Sequence, residues 1–116
     1  YLRQLPRQSK VKLQVLMTQY FTLMQQMAAT NALLIKNEKT QIFIQSFEAV
    51  FALLIKQDRI IGSSNTALRQ PYYTAYFSGA VINMLVHWQQ NGMVETPAYL
   101  AQQVTRFTLR DNESRS

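Results

Sequence analysis

Between Pro71 and Gln103 the chain reads PYYTAYFSGAVINMLVHWQQNGMVETPAYLAQQ, and helix boundaries are written directly into it. Pro71 suits a first helical position, where its missing N–H costs nothing. The apolar period then continues for about 20 residues to Asn91, and Gly92 is placed for a left-handed helix stop. Thr96 and Pro97 repeat the start signal as N-cap and first helical residue. The first of these helices is apolar on two faces. One stripe is Tyr73, Tyr76, Phe77, Ala80, Val81, Met84, Leu85 and Trp88. The other is Tyr72, Ala75, Gly79, Ile82 and Val86, centred roughly 170° away at about 100° per residue. A helix with two buried faces packs inside its own domain and against something else. A second subunit is the simplest occupant of the smaller-residue face; a central helix of a monomeric bundle is the other reading.

The remaining segments read as helices too. Ser9 can cap a first helix running to about Ala29, with Leu13, Leu16, Met17, Tyr20, Leu23, Met24 and Met27 on its apolar side. Thr30 and Asn31 break that pattern, and Ala32 to Lys36 reads as a short helix or tight turn. Thr40 can cap a third long helix reaching about Ile61, its core stripe being Phe43, Ile44, Phe47, Val50, Phe51, Leu54 and Ile55, with Gly62 as its stop. Gly62 to Gln70 is the clearest loop and the expected place for a mobile gate. Residues 111–116 read as a polar, frayed tail.

With 116 residues the chain makes one domain, expected over 1–110, and 47% hydrophobic residues suffice for a core. Three Gly, three Pro and no period-2 apolar runs favour an all-α bundle of about five helices. No apolar run reaches the roughly 18 residues of a membrane span. The absence of Cys excludes disulfides and thiolate metal sites and suits the cytoplasm. The net charge of +6 invites a nucleic-acid reading. Its distribution argues against one: Lys36, Lys39, Lys56 and Arg59 mark helix ends, where cations favour the dipole, and no basic run is interleaved with aromatics.

Enzyme chemistry is not expected. One His, no Cys and six scattered acids form no acid/base couple, triad or metal cluster, so neither catalysis nor a cofactor is called for. A binding pocket fits better, since such sites are apolar with a few orienting polar groups. Candidate ligand-binding residues are Tyr20, Met24, Gln45, Glu48, Tyr76, Asn83 and His87. Asn83 and His87 are one helical turn apart, and Tyr76 projects within about 20° of His87. That row reads either as a ligand-orienting edge or as hydrogen bonds at a subunit boundary. Met17, Met24 and Met27 likewise read as a promiscuous pocket lining or as core filling.

The marks Tyr73, Tyr76, Phe77, Gly79, Trp88, Gly92, Met93, Glu95, Thr96, Pro97 and Leu100 resemble the end of the regulatory domain of TetR-type transcription factors, in the variant common in Gram-positive bacteria (Firmicutes). The resemblance implies a two-fold dimer through the last two long helices, with Tyr72, Ala75, Gly79, Ile82, Val86, Leu100, Val104 and Phe107 at the interface. It also implies a small apolar or amphipathic effector and repression relieved when that effector binds. DNA would be contacted only through an N-terminal helix-turn-helix that this sequence lacks. The alternative from another class is a helical dimerisation or protein-interaction module with no small-molecule pocket.

Overall fold

A computed structural model describes residues 11–60 and 72–115, with side chains described through 108. Five helices follow in order: α1 (Leu13–Gln26), α2 (Ala28–Lys36), α3 (Thr40–Lys56), α4 (Tyr73–Gln90) and α5 (Pro97–Arg115). The fold is therefore all-α, as the apolar periodicity requires. Three expectations fall outside the described residues: the Ser9 cap, the 62–70 loop and Pro71 at a helix start. The expected reach of α3 to about Ile61 with Gly62 as its stop is not met: α3 ends at Lys56, where Asp58 turns left-handed.

Helix ends follow a shared design. At the end of α2 the Lys39 N–H bonds the Leu34 carbonyl at 2.8 Å and the Glu38 N–H bonds that of Ile35 at 3.1 Å. Arg59 to Leu54 and Asp58 to Ile55 repeat the pattern after α3, and Met93 to Trp88 and Gly92 to Gln89 repeat it after α4. This double bond needs one residue in the left-handed region. Gly92 supplies it at φ 83°, whereas Glu38 at 59° and Asp58 at 54° adopt it with a side chain present. Lys36 and Lys56 occupy the last turns of α2 and α3, where the dipole favours them. At the start of α5 the Thr96 hydroxyl accepts the Tyr99 N–H at 3.1 Å, so this cap forms as expected. Thr40 does not cap α3; it is the first helical residue, and Lys39 stands before it without a side-chain bond.

Two further boundaries differ from the sequence expectation. The first helix ends at Gln26, not near Ala29, and the chain bends at Met27. Asn31, fully buried, holds the bend by donating to the Met24 carbonyl at 3.4 Å, and Gln89 of α4 donates to the Ala28 carbonyl at 2.7 Å. At the other end α5 continues to Arg115, through residues read as a tail. No Gly or Pro follows Pro97 to stop it.

Two helix pairs make most of the body: α1 packs against α5, and α3 packs against α4. Aromatic edges join them. Phe21 meets Trp88 at 5.8 Å between ring centres, and Tyr20 meets Phe47 at 5.0 Å. Phe47, Phe51, Phe77 and Tyr73 continue this contact as a run of stacked or tilted rings. Phe21 is fully buried although it lay outside the stripe expected for the first helix, while Leu23 and Met27 from that stripe, and Val50 from the stripe of the third helix, are exposed. A parallel bridge pairs Val11 with Ile60 and ties the start of the described chain to the end of α3.

Candidate functional site

The outward face of α4 is the site that the fold leaves open. Its 18 residues include no Asp, Glu, Lys or Arg. Tyr72, Tyr76, Gly79, Ala80, Asn83 and His87 fall within an arc of about 100° on the helix. Five of them are exposed and Gly79 is half-buried. Tyr72 and Tyr76 stand out at 83% and 64% exposure. A Cβ built on Gly79 meets nothing within 4 Å, so the chain's own packing does not require glycine there.

Two apolar faces were expected for α4, and the buried one lies about 70° round from the expected stripe. Ile82, 1% exposed, belongs to the chain's own core, and Val86 packs against that core. Tyr76 and Ala80, expected inside, point outward. The reason is chemical: Ser78 is fully buried because its hydroxyl is satisfied by the Thr74 carbonyl. A serine thus takes a core position that a hydrophobicity pattern assigns to the surface.

The interface expectation changes in the same way on α5. Leu100 and Val104 are buried with Ala101 in the chain's own core and present no surface to a partner. Phe107 is exposed, as is Tyr99. Of the eight interface residues expected, Tyr72, Ala75 and Phe107 are exposed, Gly79 and Val86 are half-buried, and Ile82, Leu100 and Val104 face inward.

The seven residues expected to bind a ligand do not converge. Tyr20 and Met24 lie inside the bundle. Tyr20 is edge-on to Phe47, and Met24 offers its thioether sulfur to the Asn31 amide at 3.4 Å. Burial pushes the Tyr20 phenol up to about 12, because a phenolate loses hydration there. Glu48 is half-buried on α3, next in sequence to Phe47, while Gln45 is exposed on the same helix. Tyr76, Asn83 and His87 share the outward face of α4, not an inner edge. The sequence reading missed two polar contacts: Asn31 of α2 holds the bend by donating to Met24 of α1, and Gln89 ties α4 to the bend by donating to the Ala28 carbonyl. No local signal marks them, since their partners are backbone carbonyls fixed by the bend.

Trp88 is a packing anchor. It is buried against Phe21, and its indole N–H donates to the Glu95 carbonyl at 3.0 Å. Met93, after the Gly92 stop, packs on the core, the apolar contact that accompanies such a helix end. Among the described residues no three His, Asp or Glu side chains are grouped to hold a metal ion, and no helix is long and apolar enough to cross a membrane.

A family model described as the C-terminal region of transcriptional regulators matches residues 12–110. No curated protein and no solved structure matches the chain.

Proposed function

This chain belongs to the family of C-terminal regions of TetR-type transcriptional regulators, and from that premise we propose that it dimerises through the outward faces of α4 and α5 and responds to an effector. The uncharged face of α4 carries the proposal. Large aromatics beside Gly79 and Ala80 suit a two-fold copy, which an isologous contact supplies with the same patch. Charged residues are depleted and Tyr enriched at the cores of protein interfaces, and this face has both properties. Phe107 and Tyr99 are the exposed aromatics that α5 offers to the same contact.

The effector is a small apolar or amphipathic molecule entering beside the aromatic interior. Tyr20 and Glu48, half-buried polar groups on neighbouring helices, orient it. It acts by preferring one arrangement of the two subunits over the other, which is the thermodynamic requirement for any such switch. In a repressor, that preference separates the DNA-reading domains and releases the operator. The stacked Phe47, Phe51 and Phe77 rings fill interior space, and this favours a second reading in which the domain dimerises without any pocket.

Sedimentation of the purified chain tests the interface. The expected result is a dimer in the micromolar range, and a folded monomer when Gly79→Arg is combined with Asn83→Arg. A wild-type monomer, or a variant of unchanged dimer mass, overturns the reading. Titration with amphipathic ligands, followed by NMR at Tyr20 and Glu48, separates the sensor from the pocketless module.

A further inference from the structure

The outward face of α4 is symmetric in position and asymmetric in chemistry. Counted from the midpoint between Gly79 and Ala80, Tyr76 lies as far before as Asn83 lies after, and Tyr72 as far before as His87. Two exposed tyrosines therefore occupy one half of the face, and an exposed amide and an exposed imidazole occupy the other. Gln90, also exposed, lies beyond the last of these positions. The middle is small: Ala80 is exposed, and a Cβ added at Gly79 meets nothing within 4 Å. Mirrored spacing is common to any helix face; the order of the chemistry along it is particular to this chain.

We infer that two copies of α4 cross antiparallel at Gly79 and Ala80, with Tyr76 hydrogen-bonded to the partner subunit's Asn83 and Tyr72 to the partner subunit's His87. This pairing rests on the α4 dimer proposed above and adds its direction, its register and the residues that set them. In a two-fold contact residue i meets j and j meets i, so each of the two bonds is made twice. A phenol hydroxyl can donate to an amide oxygen or an imidazole nitrogen. The antiparallel arrangement also sets each tyrosine opposite a smaller side chain, which keeps the spacing of the axes even. A parallel alignment stacks Tyr on Tyr, Asn on Asn and His on His, with bulk at one end and a gap at the other. Small residues at the crossing let the axes approach toward the lower end of the usual range of about 8–10 Å. Because α4 has no Asp, Glu, Lys or Arg, ion pairs within the helix pair cannot fix the register, and these hydroxyl, amide and imidazole groups are the polar means of doing so.

The chain has no Cys, so single introduced thiols report the alignment, since a disulfide needs Cα atoms within about 7 Å of each other. Under mild oxidation Ala80→Cys should cross-link with itself. Tyr76→Cys and Asn83→Cys should not cross-link alone, because like positions then lie about 10 Å apart along the axis. Mixed together, those two variants should form a covalent heterodimer. Tyr76→Phe deletes two hydroxyls per dimer and should raise the dimer Kd about tenfold in sedimentation, with helical circular dichroism unchanged. In an Asn83→Ala background the same change should add little, because its bonding partner is already gone. Self-cross-linking of Tyr76→Cys or Asn83→Cys, or a mixture that stays unlinked while Ala80→Cys links, overturns the pairing and leaves the α4 dimer standing. So does a full tenfold effect of Tyr76→Phe in the Asn83→Ala background. A monomer mass for the unaltered chain, or no cross-link at Ala80→Cys, overturns the α4 dimer and the pairing with it.

Discussion

Replacing Glu38 by Gly should stabilise this protein, although it removes a side chain and adds no contact. Three helix ends share the same paired backbone bonds, and the residue that must turn left-handed is Glu38, Asp58 or Gly92. An L-residue in that conformation is strained by about 1–2 kcal/mol, because Cβ crowds the following carbonyl. Gly relieves the strain but gives the unfolded chain more freedom, an opposing term of about 0.5–1 kcal/mol. The net gain expected for Glu38→Gly is about 0.5–1 kcal/mol. Asp58→Gly should gain less, since Asp tolerates the left-handed region better. The reverse change, Gly92→Ala, should cost about 1 kcal/mol. Its new Cβ meets nothing within 4 Å, so the loss is backbone strain alone. Unfolding entropy of about 2.1 cal/mol/K per residue converts 1 kcal/mol into about 4 °C for a chain of this length. Thermal unfolding by circular dichroism, at fixed protein concentration, should therefore show Tm higher by about 2–4 °C for Glu38→Gly. Glu38→Ala, which keeps Cβ and removes the charge, should show no such gain. A Tm lowered by Glu38→Gly, or an equal rise with Ala, would refute the strain argument and point to the carboxylate.

Two further outcomes follow from the interior. The Tyr20 phenol, held up to about 12 when folded against an ordinary value of 10.0, contributes stability that is complete below pH 10 and is lost as the pH rises through 12. Ultraviolet titration should show a late-ionising tyrosine that disappears in Tyr20→Phe, and a tyrosine profile unchanged by that substitution would contradict the placement. Asn31→Asp, at a fully buried site where the amide donates to the Met24 carbonyl, should cost about 3 kcal/mol, because a carboxylate replaces the donor and is left facing an acceptor. Urea unfolding near pH 7 would show an unshifted midpoint if that contact carries no weight.

The sequence alone determined the class of this fold, most of its helices and the punctuation around α4 and α5. Those features are local: an apolar period, a Thr-Pro start and a Gly stop act within a few residues of themselves. Their combination was also specific enough to carry the family resemblance. The tertiary structure decided which way each helix faces. Ser78 enters the core by bonding its own helix, which turns Ile82 inward and leaves Tyr76, Asn83 and His87 outside. Leu100 and Val104 are taken up by the chain's own core through the contact of α5 with α1, so apolar period alone could not tell core from partner. The bend at Met27 has no Gly or Pro to announce it. It exists because Asn31, four residues on, and Gln89, from a distant helix, satisfy the carbonyls beside it, and that satisfaction requires the chain to be folded first.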